Sequence, residues 1–391
     1  MRHKILLLII LLAGLLQSCR NDIPYLSDPH NDAKFQNWTQ VFNSYWESMN
    51  NNYAFWSVDS TDWDAMYDKY APRFEALGTI AEEDDEEGKN AVRDSARSYF
   101  KEMSAGLIDH HFFATLKIPS TYYIMPGDNE VMNRKYYHWS NTDFRFNVLH
   151  QYKELGRLTS YTEPSVKSSR AYSGVLDGDI VYLGLTEFAL TGSERTEVID
   201  ALKNYNMLLD TLQNIKGVII DVRENGGGNC ADLDSILGKF VDSNYIFAYQ
   251  RTKDGPGRLD YTPWVPATIH PMKRARKLDI PIVALADVNS VSMAEITTMA
   301  IRTFPKGCSV GERTFGGHGA LLSTNIGFET TNCGRVINDA WDIYCCNYMT
   351  KTLDGQILEG IGITPTYEVF WDLSSLDTQL ERAIQVIHTG K

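Results

Sequence analysis

Gly217–Gly228, GVIIDVRENGGG, and Asn289–Glu295, NSVSMAE, decide how this chain folds. The first is an apolar run short enough for one buried strand, closed by three glycines. The second puts a serine where an apolar run, Ile282–Ala286, gives way to the amphipathic stretch Met293–Thr303. Strand, glycine turn, then strand, serine and helix is the order of an α/β fold. It also supplies what acyl transfer needs: a hydroxyl on a sharp strand-to-helix turn and backbone amides able to surround an oxyanion.

Working outward, apolar strands alternate with helical stretches. Ile180–Leu185 leads to a helix over Glu194–Leu212, Gly217–Asp221 to one over Ala231–Phe240, and Ile282–Ala286 to Met293–Thr303. Ser309–Gly311 adds a short strand and Asp377–Ile387 a closing helix. The pattern predicts βαβ units on a largely parallel sheet. Upstream, Phe35, Trp38, Phe42, Tyr45, Trp46 and Met49 recur at helical spacing. Trp63, Met66, Tyr67 and Tyr70 repeat this, and Ala91–Met103 gives a third helix. Residues 34–111 therefore read as a helical domain, 112–174 as a β-rich or irregular connector, and 175–391 as the core. Gly174–Ile180 has the outline of a peptide-binding PDZ turn, but the strand that follows at once leaves no room for such a module.

The N-terminus reads as an export signal. Arg2, His3 and Lys4 precede an apolar core, Ile5–Leu16, and Leu16-Gln17-Ser18-Cys19 follows. That ending resembles a bacterial lipoprotein box, which implies lipidation of Cys19, removal of residues 1–18 and a tether over 19–33. The expected location is the bacterial cell envelope, on the outer membrane, facing either the periplasm or the surface. The net charge of −13 argues against nucleic acid as a partner. Glu82–Glu87 reads as a solvated acidic loop. Of the five later cysteines, adjacent Cys345 and Cys346 cannot readily bridge each other, so a disulfide is expected from Cys333 to one of them. No metal is expected, because no Cys-x-x-Cys spacing occurs, and no organic cofactor is required.

Asp221–Gly228, Asn289–Glu295, Val310–Gly316 (VGERTFG) and Glu359–Pro365 (EGIGITP), in that order, resemble the tail-specific (C-terminal processing) serine proteases. The resemblance spans about 175–390 and implies a Clp-protease/crotonase-like spiral of βαβ units behind the helical domain. It implies Ser292 as nucleophile, three positions before Glu295, with Ser290 as the second candidate. Independently, Ser292 stands at the N-cap of the following helix, where developing negative charge is favoured, although many serines there are caps only. The oxyanion hole is expected from the amide of Met293 and the Gly226–Gly227 turn, where a side chain would block a substrate carbonyl.

The chain departs from the family's Ser-Lys dyad. That branch carries lysine directly after Thr-Phe-Gly, whereas Thr314-Phe315-Gly316 is followed by Gly317 and His318. Either the protein is inactive or its base comes from elsewhere. Leu107-Ile108-Asp109-His110-His111-Phe112 resembles the histidine motif of the tricorn-like branch and implies His111 as base, with His110 preceding it. An ordinary imidazole can take a serine proton near neutral pH. Glu359 matches that branch's acidic residue, and His318 and His110 are reserve bases. The expected activity is serine-type endopeptidase action on polypeptides. The alternative is a non-catalytic lipoprotein holding an apolar ligand, peptide or glycan on the same fold, as retinoid-binding relatives of this family do. The oligomeric state is open.

Overall fold

The strands that the sequence marks as continuously apolar are buried on both faces, and they build the centre of the molecule. The computed structural model describes residues 35–391 apart from 81–85, 126–133, 135–148, 163–170, 191–195, 256, 273–276, 320–333 and 373–375. Cys19, the export signal and Cys333 lie outside the described residues.

The main sheet has seven strands: β3 (Leu158–Thr159), β4 (Ala171–Leu176), β5 (Ile180–Leu185), β6 (Gly217–Asp221), β9 (Ile282–Ala286), β10 (Gly307–Gly311) and β14 (Tyr367–Glu368). Their spatial order is β14-β10-β9-β6-β5-β4-β3. From β14 to β5 neighbouring strands are parallel, whereas β4 pairs antiparallel with both β5 and β3. All of β5, β6 and β9 is buried, as a sheet covered on both faces requires. Alternation assigns the faces. Val218 and Ile220 join a cluster with α4 (Thr196–Thr211) and α6 (Met293–Thr303). Ile219 instead packs with Leu380, Ala383 and Ile387 of α7 (Thr378–Thr389). The Asp377 side chain starts α7 by accepting from the Gln379 and Leu380 amides.

A second cluster is dominated by aromatic rings. Helices α1 (Trp38–Asn52), α2 (Trp63–Leu77) and α3 (Glu86–Ser104) contribute Trp38, Phe42, Tyr45, Trp63, Tyr70, Phe74 and Phe100. Asn37 and Asp62 cap the first two helices through their side chains. Against these helices lies a four-stranded antiparallel sheet in the order β11-β12-β1-β2, with β1 Phe113–Leu116, β2 Tyr122–Ile124, β11 Arg335–Ile337 and β12 Trp341–Tyr344. Trp341 is fully buried there, and its indole donates to the Val41 carbonyl at 3.0 Å. A chain segment beyond the serine helix thus returns to complete the N-terminal core. A third sheet, β13-β7-β8, comprises Tyr348–Thr352, Tyr245–Thr252 and Val265–Ile269, and α5 (Asp232–Leu237) precedes it.

Two elements differ from the sequence expectation. The stretch 112–174 contains β1, β2 and β3 and most of β4, so a boundary at 174 falls inside a strand of the main sheet. The helix expected over Ala231–Phe240 closes after Leu237, where the Gly238 amide donates back to the Asp234 carbonyl. Among the described residues, no helix is long and apolar enough to cross a membrane.

Candidate active site

The loops after β6 and β9 are sewn together, and this sets the glycines beside the serine. The Val291 amide donates to the Asn225 carbonyl at 2.9 Å, and the Glu224 amide to Asp287 Oδ1 at 2.9 Å. Ser290 uses its hydroxyl for the same purpose, donating to the Val222 carbonyl at 2.8 Å and accepting from the Asp287 amide at 2.9 Å. It is completely buried. Ser290 is therefore a staple, and the second nucleophile candidate is removed.

Ser292 is held differently. Its backbone sits at φ 58°, ψ −117°, a conformation sparsely populated by residues with a side chain, and its side chain makes no capping bond. Backbone strain of this kind at the mouth of a helix presents a hydroxyl outward, as nucleophile turns do. Gly227 (φ 97°) closes on it: a Cβ there would lie 2.6 Å from Ser292 Cβ and 3.0 Å from Oγ.

The expected oxyanion donors divide. The Gly227 amide donates to Asn225 Oδ1 at 2.8 Å, so it is committed, and the expectation for that residue is corrected. Gly227 contributes by lacking a side chain, not by its N–H. The amides of Gly226 and Met293 have no hydrogen-bond partner among the described residues and remain available.

His111 reaches this point from the other core. Its ring packs against Gly317, where a Cβ would meet Cε1 at 3.0 Å, Nδ1 at 3.2 Å and Val291 Cγ1 at 3.3 Å. The Gly317 carbonyl accepts the Ser292 amide at 3.0 Å. One residue without a side chain is therefore in touch with both the serine and the histidine. It is the residue directly after Thr314-Phe315-Gly316, where the dyad branch carries lysine, and here the imidazole occupies the room a side chain would take. His111 Nδ1 is buried with no hydrogen-bond partner. Among the described residues, no hydrogen bond joins His111 to Ser292.

Three buried carboxylates hold the frame. Glu295, fully buried, accepts from the Thr314 hydroxyl at 2.5 Å, the Gly316 amide at 2.8 Å and the Gly317 amide at 2.7 Å. Glu359 accepts from the backbone amides of His110 (3.1 Å), His318 (2.7 Å) and Gly319 (2.7 Å). Burial, then repulsion from Asp109, pushes the Glu359 carboxyl well above the usual carboxylate range. It ties loops together and makes no hydrogen bond to His111. Asp109, also fully buried, accepts from the His111 amide at 2.8 Å and the Cys346 amide at 2.7 Å. Its own amide donates to the Tyr53 hydroxyl, which is bonded to Asp59 at 2.6 Å. That chain of bonds anchors the histidine segment in the aromatic core.

The reserve bases are placed otherwise. His318 is 2 % exposed, with Nε2 3.6 Å from Glu295 Oε1, and burial lowers its pKa. His110 rests its ring on Phe315, with Nδ1 3.2 Å from the Phe315 carbonyl, and burial lowers its pKa too. Neither ring packs on Gly317 as His111 does. Sequence alone assigns no role to Asp109, marks Glu295 only by its spacing from Ser292, and offers Cys346 only as a disulfide candidate. An acid inside an otherwise apolar or histidine-rich run was the available signal. The Cys346 thiol bonds Asp109 Oδ1 at 3.3 Å, and the expected partner, Cys333, is outside the described residues.

Residues 179–369 match the model of peptidase family S41, and residues 35–85 match the tricorn protease C1 domain. A structure from Parabacteroides merdae ATCC 43184, assigned to the peptidases, is 22% identical over 91% of this chain and 98% of its own, with a TM-score of 0.64. Mature CPAF is 10% identical over 91% and 98%, with a TM-score of 0.55. At such identities these two structures show the shared fold: a helical N-terminal region joined to a large mixed sheet. Residues 179–369 thus match peptidase family S41, with a segment similar to the tricorn protease C1 domain ahead of them.

Proposed function

We propose that the protein is a serine peptidase in which Ser292 is the nucleophile and His111 the base. The observation that carries this reading is Gly317, whose bare Cα lets the His111 ring and the strained Ser292 turn meet at one residue. In the first half-reaction the Ser292 oxygen bonds to the peptide carbonyl carbon while its proton passes to His111. The amides of Gly226 and Met293 stabilise the oxyanion, and the α6 N-terminus adds its dipole. His111 then returns the proton to the departing amine as the C–N bond breaks, and water hydrolyses the acyl-enzyme by the reverse sequence.

Asp109 and Glu359 act on the histidine segment through its backbone, not through the imidazole. The strand that runs on directly from Gly174–Ile180 leaves no room there for a PDZ module, and the reading is endopeptidase action on polypeptides. The lipoprotein box at Cys19 motivates a further part of the proposal: attachment to the bacterial envelope by acyl chains. Metabolic labelling with a clickable fatty acid tests it, and retention of label in Cys19→Ala would refute it. For the chemistry, a fluorophosphonate probe should label the folded protein, lose all label in Ser292→Ala, and lose most in His111→Ala. Equal labelling of His111→Ala would remove the histidine from the mechanism. Failure to label the wild-type protein would favour a ligand-binding role for the fold.

A further inference from the structure

Two side chains of the histidine segment and one that follows β12 share one small space. A carboxylate oxygen of Asp109, a ring nitrogen of His111 and the Cys346 thiol all lie within 4.8 Å of one another. Asp109 and Cys346 are fully buried, whereas His111 is half-buried and packs against Gly317, beside Ser292. The backbone duties of Asp109 explain its bonds to the His111 and Cys346 amides. They do not explain why a thiol faces the same carboxylate, nor why His111 Nδ1 is buried with nothing to bond.

We propose that Asp109, His111 and Cys346 form a binding site for a zinc-like divalent cation, and that its occupation switches the peptidase off. Sulfur, nitrogen and one carboxylate oxygen form a donor set suited to Zn²⁺ and ill-suited to Mg²⁺ or Ca²⁺, which prefer oxygen. Bond lengths of about 2.0 Å to N and O and about 2.3 Å to S require the donors to draw in by roughly 1 Å. Three protein ligands leave the fourth tetrahedral position to water. On binding, the Cys346 S–H proton departs to solvent and the S–H···Asp109 hydrogen bond becomes a sulfur–metal–oxygen link.

The block follows from imidazole chemistry. A neutral ring has one nitrogen lone pair available, and its other nitrogen carries the proton. Whichever nitrogen the metal takes, the remaining one is an N–H donor and cannot accept the Ser292 proton. This consequence rests on the proposed Ser292–His111 chemistry; the metal site itself does not.

The test uses full-length reduced protein with Co²⁺ as the spectroscopic probe and Zn²⁺ as competitor. A thiolate-to-cobalt charge-transfer band should appear, vanish in Cys346→Ala, weaken in His111→Ala, persist in Cys230→Ser, and be displaced by Zn²⁺. Cys346→Ser, which keeps a donor for Asp109, guards against a merely unfolded alanine variant and should also lose the band. The second readout is fluorophosphonate labelling, each protein normalised to its own metal-free rate. Zn²⁺ should suppress labelling of the wild type at a concentration at least tenfold below that needed for Cys346→Ser. A band unchanged in both Cys346 variants, or no band in folded wild-type protein, overturns the proposal. A normal cobalt spectrum with no labelling in any condition keeps the metal site and removes the serine-peptidase reading. Strong labelling that Zn²⁺ does not affect, with the cobalt band present, keeps the metal site and overturns its role as a switch.

Discussion

Gly317 is the residue on which the site turns. Its missing side chain leaves the room that the His111 ring fills, and its carbonyl holds the Ser292 amide. Gly317→Ala should therefore fold normally, since no positive φ is involved, yet push the imidazole by a few tenths of an ångström. Misplacement on the 1 Å scale costs about 10²-fold, so roughly a tenfold fall in labelling rate is expected, with little change in thermal midpoint. Gly227→Ala is harsher, because a Cβ would lie 2.6 Å from Ser292 Cβ on a backbone at φ 97°. Loss of at least about 10²-fold in labelling, with destabilisation of about 1–3 kcal/mol, is the expected outcome. A Gly227→Ala protein that labels at the wild-type rate would contradict this packing. Both glycines were visible in the sequence, but that Gly227 acts by absence of a side chain, with its amide already spent on Asn225, was not.

At the scale of elements, the loop after β10 owes its shape to a residue on α6. Glu295 gathers the Thr314 hydroxyl and the Gly316 and Gly317 amides. Glu295→Leu would leave three buried donors unpaired, at about 1–3 kcal/mol each. Chemical denaturation should show a loss of several kcal/mol, and labelling should fall further than the folded fraction does. Titration of the same loops gives a second expectation. Burial lowers the folded-state pKa of His110 and His318 below the ~6.5 of an unfolded histidine. On acidification the unfolded chain therefore takes up protons first, and stability declines as the pH falls through about 6.5, by at most ~1.4 kcal/mol per pH unit per histidine. Glu359, whose folded pKa is raised, works in the opposite sense above the unfolded carboxylate value of ~4.3. A His318→Gln variant should show a shallower decline of thermal midpoint between pH 7 and 5.5 than the wild type. An unchanged slope would remove His318 from the account.

For the whole molecule, the candidate site lies where two cores meet. Ser292 and its glycines belong to the α/β core, while Asp109 and His111 hang from the aromatic cluster that α1 to α3 share with β12. The α/β core is itself latched by Arg223, which bonds Asp221 at 2.7 Å and Asp377 at 2.8 Å, all buried. Arg223→Ala would strand two buried carboxylates, and a loss of about 3–5 kcal/mol in urea unfolding is expected. Because Asp377 begins α7 and Asp221 ends β6, that loss should be accompanied by weaker labelling of Ser292. Arg223→Ala with wild-type stability would show that the triad is solvated in solution.

The sequence by itself determined the strand order around the glycines, the serine-bearing turn and the absence of a dyad lysine. Each of these is local: a run of apolar residues, a glycine triplet or a spacing within a dozen positions specifies backbone conformation through sterics and burial. Only the tertiary structure decided that residues 335–344 return to the N-terminal core, because strand partners separated by more than 200 residues leave no periodic trace. It also set the His111 ring against Gly317, whose carbonyl holds the Ser292 amide. His110, His111 and His318 are indistinguishable by residue type, and the choice among them rests on which ring the bare Gly317 admits and which backbones Asp109, Glu295 and Glu359 hold in place.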